Sequence, residues 1–157
     1  MDIQEAKHLA IAEMNKWGLI DKGWHVSLNT NKRRLGYCSY IREEIGLSRS
    51  FVLYNNESEV MDTIRHEIAH ALAGLGTKHG RLWKLWAKKV GCTSVRATAS
   101  ASTIKMPKGK WTLTCKMCGH SSEKHRASKL IKTQARGYYC TRCGRRSINM
   151  LVVTQNY

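Results

Sequence analysis

HEIAHALAGLGTKHG, residues 66–80, places three histidines and one glutamate within fifteen positions. Upstream, Asn56 and Glu59 stand at capping-box spacing, and Val60, Ile64, Ile68, Ala71 and Leu72 recur every three or four residues. The spacing predicts a helix that starts after Asn56 and stops at Gly74 and Gly76. On it, His66 and His70 lie four apart on one face, about 5–6 Å apart at Cβ, so one metal ion can bridge them. Glu67 follows about 100° round the helix, where a carboxylate reaches a metal-bound water without coordinating the metal.

A catalytic zinc takes three protein ligands and leaves the fourth position to water. A histidine six residues after His70 would mark a metzincin, but that position is Gly76, and Ala73 stands where that pattern needs glycine. A downstream glutamate is equally missing, because no Asp or Glu occurs from 71 to 122. His79, reached through the glycine-broken turn GLGTK, is the candidate third ligand; the alternative is a surface loop histidine. With that set, Glu67 would act as general base on zinc-bound water. His25, Tyr37 and Tyr54 are candidates by residue type alone for stabilising the oxyanion, each with a structural role as its alternative.

The flanking segments suggest an α+β domain. Ala6, Leu9, Ala10, Met14 and Trp17 predict an amphipathic helix from Ile3 to Trp17, ending near Gly18. WHVSL (24–28), LGYCSYI (35–41) and EIGLS (44–48) read as strands of a small antiparallel sheet, and FVLYN (51–55) as either a strand or a helical turn. After His79, RLWKLWAKKVG predicts a helix with Leu82, Leu85, Trp86 and Val90 facing inward and Arg81, Lys84, Lys88 and Lys89 outward, stopped by Gly91. The organisation expected is a domain over 1–96, a small, polar and basic linker over 97–110, and a second domain over 111–157.

The second domain carries CKMCG (115–119) and CTRCG (140–144). Cys115, Cys118, Cys140 and Cys143 can close a tetrahedral zinc site with no open position, so that zinc is read as structural. Strands are expected at 111–114, 138–140 and 148–153, in a unit too poor in large apolar residues to fold without metal. Cys38 and Cys92 read as small buried hydrophobes.

Charge separates the two halves. Residues 1–70 hold 9 Lys/Arg against 10 Asp/Glu, whereas 71–157 hold 18 against Glu123 alone. So lopsided a surplus draws a polyanion, and nucleic acid is the favoured intracellular one over an acidic protein or a membrane surface. Lys124, Arg126, Lys129, Lys132 and Arg136 could follow phosphates, with Tyr138 and Tyr139 stacking on unpaired bases, which favours single-stranded or junction-containing DNA. A plain solvated face is the alternative. MDIQEAKHLA carries acids where a secretory peptide carries basic residues, and no apolar run reaches the roughly 20 residues of a membrane span. An intracellular, DNA-associated chain without a membrane partner is therefore expected.

HEIAHAL at 66–72, the HG pair at 79–80 and a tryptophan shortly after resemble the SprT-like or Spartan metalloproteases. So do a tryptophan-headed strand at Trp24, a basic turn leading to LGYC, a strand ending in LS at 47–48, and the C-terminal cysteine pairs. The resemblance implies a zincin-like protease domain followed by a four-cysteine zinc ribbon, and activity on proteins bound or crosslinked to DNA. It implies His66, His70 and His79 as ligands of a catalytic zinc and Glu67 as the catalytic residue. The alternatives are a non-catalytic nucleic-acid-binding or regulatory zinc protein, and a general zinc peptidase indifferent to DNA.

Overall fold

A computed structural model describes residues 1–32, 34–93 and 104–157. The chain divides into two compact units, Met1–Pro107 and Lys108–Tyr157.

The first unit opens with helix α1 (Ile3–Lys16), capped by Asp2 in a capping box with Glu5. Ala6, Ala10 and Met14 are fully buried, and Gly18 turns the chain away with φ +64°. Three short strands follow: β1 (His25–Asn29), β2 (Gly36–Ser39) and β3 (Glu44–Ser48). The expected antiparallel sheet is corrected here. Its order is β1-β3-β2, with β2 antiparallel to β3 but β1 parallel to it. All five residues of β3 are buried, which suits a central strand, so β3 inserts between its two predecessors. Asn31 and Leu35 are both held at the end of β3, where Ser48 donates its hydroxyl to Asn31 O (2.6 Å) and its amide to Leu35 O (2.8 Å).

The FVLYN segment is helical, within α2 (Arg49–Tyr54), capped by Ser48. The long helix α3 (Glu57–Ala73) has its Asn56/Glu59 capping box, and Val60, Ile64 and Ile68 are fully buried. Buried Glu13 ties α1 to α3 through Arg65 (3.4 Å) and also pairs with Lys16 (2.7 Å).

Helix α4 (Arg81–Lys89) is turned relative to the sequence expectation. Trp83, Ala87 and Val90 are buried, whereas Leu82 and Leu85 are 47% and 53% exposed. At 100° per residue, apolar residues 82, 83, 85 and 86 spread over about 160° of this short helix, so periodicity alone leaves open which part of that arc turns inward; the volume available to Trp83 decides it. Of the expected linker, residues 97–103 lie outside the described residues. Ile104 and Met106 pack on the first unit, and Asn55 bonds both the N–H and the C=O of Lys105 (2.7 Å each).

The second unit is a three-stranded antiparallel sheet, β5-β4-β6, formed by β4 (Trp111–Cys115), β5 (Ser121–Lys124) and β6 (Leu151–Gln155). β5 is polar and was not anticipated. Tyr138–Cys140 is irregular rather than a strand, because Cys140 begins a knuckle, and the last strand starts at Leu151, after a 3-10 turn at Gly144–Ser147. The short helix α5 (Lys129–Lys132) presents Ile131 to Leu113 and Ala135, the buried core of this unit among the described residues.

Candidate metal centre

His66 and Glu67 are carried by the buried side of α3, at 1% and 4% exposure, and His70 stands one turn on. Gly74 ends the helix with φ +91°, a backbone state that costs a Cβ-bearing residue strain. The reversal is then held by Thr77, whose hydroxyl donates to Gly74 O (2.8 Å), and by Gly80 N–H donating to Thr77 O (3.0 Å). This turn returns His79 to α3. Its Nε2 lies 3.0 Å from His66 Nε2 and 3.1 Å from His70 Nε2.

Three ring nitrogens thus converge on one point. A neutral imidazole has a single N–H, so His79 Nε2 donates to at most one of its two neighbours. Tetrahedral bonds of about 2.0–2.1 Å to a metal separate ligand nitrogens by on the order of 3.3 Å, close to the spacing found. The three residues form a set able to hold a metal. Trp83 supports all three rings, its centroid 4.7, 5.4 and 4.5 Å from those of His66, His70 and His79.

Beside this set an open pocket of about 340 Å³ is lined by Arg34, Gly36, Cys38, Tyr40, Glu67 and His70 among others. Burial pushes the Glu67 carboxyl up to about 8, opposed by the positive charge of Arg34. Burial, then neighbouring His79, pushes His70 down to about 4. Burial and the nearby Glu67 carboxylate raise the Cys38 thiol to about 12, which makes it inert rather than nucleophilic. Tyr40 donates its hydroxyl to His70 O and so ties β2's end to the ligand-bearing turn of α3.

Arg34 and Tyr40 carry no signal in the sequence, since only the fold brings them to α3, and Trp83 enters there only as the tryptophan that follows the HG pair. Of the oxyanion candidates, Tyr37 lines the pocket beside Glu67, whereas His25 and Tyr54 are not among its lining. Tyr37 donates to Glu44, which also pairs with Arg42 (2.9 Å) and lies 3.5 Å from His25. Tyr54 is 56% exposed on α2.

In the second unit, the sulfurs of Cys115, Cys118, Cys140 and Cys143 all lie within 4.8 Å of one another, with Cys118 Sγ 3.7 Å from Cys140 Sγ. The two knuckles share one construction. Gly119 N–H donates to Cys115 O and Gly144 N–H to Cys140 O, each at 2.9 Å, and both glycines have positive φ. Metal–sulfur bonds of about 2.3 Å would place tetrahedral sulfurs on the order of 3.8 Å apart, so this set also fits a metal. Lys124, Arg126, Lys129, Lys132 and Arg136 are exposed and Tyr139 is 47% exposed, while Tyr138 leans on the Leu113–Ile131 core.

Among known proteins, the chain is 27% identical to Protein SprT of Escherichia coli O157:H7 over 105 residues, covering 64% of this chain and 63% of that protein. It is likewise 27% identical over 109 residues to Protein SprT of Escherichia coli strain SMS-3-5, covering 67% and 66%. The matched region thus spans just under two thirds of these relatives' length. No solved structure matches the chain. A profile of the SprT-like family matches residues 6–105, the stretch that carries the histidine set and the sheet beside it, and the chain belongs to that family.

Proposed function

We propose that this chain is a zinc-dependent endopeptidase that acts on DNA-bound or DNA-crosslinked proteins. The observation that carries the proposal is Glu67, a 4%-exposed carboxyl beside three converging imidazoles, with a pocket open to it. A purely structural helix has no need of a buried carboxyl at that point, where burial disfavours its charge.

Imidazole donors suit zinc among the available divalent ions, and a bound zinc would supply Lewis acidity for the scissile carbonyl and for water. Glu67 provides the base: its carboxylate would accept a proton from the attacking water and return it to the leaving amine. The positive charge of Arg34 opposes the effect of burial and favours the ionised form that a base requires. Trp83 packs against the rings of the ligand set and Tyr40 holds the His70 backbone carbonyl, so both support the geometry of the base and the metal-binding nitrogens. The four-cysteine unit is assigned a structural zinc, and its exposed basic and aromatic residues the contact with single-stranded or junction-containing DNA.

The test is cleavage of a basic DNA-binding protein by zinc-loaded chain, with and without single-stranded DNA, beside Glu67→Gln. Cleavage that requires both DNA and Glu67 supports the proposal. Cleavage that ignores DNA would leave a general zinc peptidase. DNA binding without cleavage by either protein would favour the non-catalytic, nucleic-acid-binding reading.

A further inference from the structure

Helix α4 has two faces with different work. Its inner face, Trp83, Ala87 and Val90, is consumed by the core and the histidine set. Its outer face carries Arg81, Lys84 and Lys88 in one row at helical spacing, with Lys89 beside them, all exposed. No acidic residue lies on this helix or anywhere from 71 to 122, and among the described residues none of the four cations makes an ion pair. An ordinary solvated helix intersperses both signs at i,i+4 spacing, which this one does not.

The arrangement also opposes the helix's own field. Lys88 and Lys89 complement the negative C-terminal end, but Arg81 occupies the first turn, where the dipole disfavours a cation and no acidic residue offsets it. Bound anions would relieve both the Arg81 penalty and the repulsion along the row.

We infer that the outer face of α4 is a second nucleic-acid contact surface, on the first unit itself, that binds the phosphodiester backbone of a single strand through Arg81, Lys84 and Lys88. The row rises about 10 Å at 1.5 Å per residue, enough to span two or three successive phosphates. Half-exposed Leu82 and Leu85 flank it and offer apolar contact to sugars or unpaired bases. An anionic membrane is the less favoured occupant, because Trp83 is buried in the protein and Leu82 and Leu85 are only half exposed, which leaves little apolar surface to insert. The contact would lie on the element whose inner face holds His66, His70 and His79 in place, so bound strand and histidine set would share one helix. The inference rests on nucleic acid being the chain's partner and is independent of proteolysis.

The experiment is binding of a fluorescein-labelled oligothymidylate to the full chain across a salt titration, comparing the parent with R81Q/K84Q/K88Q and with a ribbon variant, K124Q/R126Q/K129Q. The three α4 side chains are exposed, so an unchanged unfolding midpoint serves as the folding control. Affinity several-fold weaker in the α4 variant, with the slope of log Kd against log salt reduced by about 2 (about 0.7 per lost phosphate contact), supports the inference. R81K/K84R/K88R, which keeps the charge, should bind like the parent. Parent-like affinity and slope in the α4 variant, with loss confined to the ribbon variant, would overturn the α4 surface alone. A parent that binds no oligothymidylate overturns it together with the nucleic-acid reading. Loss of binding to phosphatidylserine vesicles but not to oligothymidylate would assign the face to membranes instead.

Discussion

His79 Nε2 lies 3.0 Å from His66 Nε2 although thirteen positions separate them, because the Gly74–Gly80 turn folds the chain back along α3. Three ring nitrogens so placed could share one metal ion. With the four-cysteine set, metal analysis of the parent is expected to give two equivalents per chain, falling to one in His79→Ala and to one in Cys140→Ser. Retention of both in His79→Ala would place the third ligand elsewhere.

Trp83 is fully buried and touches all three imidazoles. Trp83→Ala should destabilise the first unit by about 3–5 kcal/mol, as large-to-small core changes do. Trp83→Phe keeps a ring in that place and should cost less stability, while metal affinity falls about 10–100-fold, the usual effect of loosening a ligand's support. Chelator competition reads the affinity; an unchanged value in Trp83→Phe would show that the rings need no such support.

The metal-free protein should show opposing pH dependences. Glu67 titrates near 8 when folded against 4.5 ordinarily. Between those values the folded chain keeps a proton that the unfolded chain has lost, so stability falls as pH rises, by about 1.4 kcal/mol per unit at most. His70, lowered from 6.5 to about 4, works the other way: between those values the unfolded chain binds the extra proton, and stability rises with pH. Glu67→Gln removes only the first slope. Urea unfolding of metal-free protein should therefore show Glu67→Gln gaining on the parent as pH rises from 4.5 towards 8, and parallel curves would refute the assignment.

A methyl group on Gly46 would lie 2.1 Å from Tyr37 Cε1, across the β2–β3 pair. Tyr37 cannot swing aside freely, since its hydroxyl is held by Glu44 and by Ser27 (3.1 Å). Gly46→Ala is expected to cost about 1–3 kcal/mol or more, and most of that cost should vanish in the Tyr37→Ala background. Additive effects in the double-mutant cycle would mean that the ring is not the obstacle.

The hydrophobic side chains that the second unit buries are Leu113, Ile131 and Ala135 with Cys115 and Cys140, too little apolar surface to hold 50 residues without a crosslink. Cys115→Ser should unfold residues 108–157 while the first unit keeps its own melting transition. Amide exchange would show β4, β5 and β6 losing protection together, with α1 and α3 unaffected. Protected strands in that variant would show the unit folding without its metal.

The sequence by itself determined what depends on neighbours along the chain. The Asn56/Glu59 cap, the buried stripe of α3, the facing of His66 and His70, the stop at Gly74 and the two cysteine knuckles all follow from the fixed pitch of a helix and the left-handed freedom of glycine. Tertiary structure alone decided the parallel pairing of β1 with β3, the phase of α4 that buries Trp83 in place of Leu82 and Leu85, and the polar strand β5. It also decided the approach of Arg34, Cys38 and Tyr40 to Glu67. Strand partners are chosen by contacts distant in sequence, and a short helix with a broad apolar arc takes whichever phase within that arc fills the available space. For α4 that space lies against three imidazoles, and of its side chains the Trp83 indole is the one that fills it.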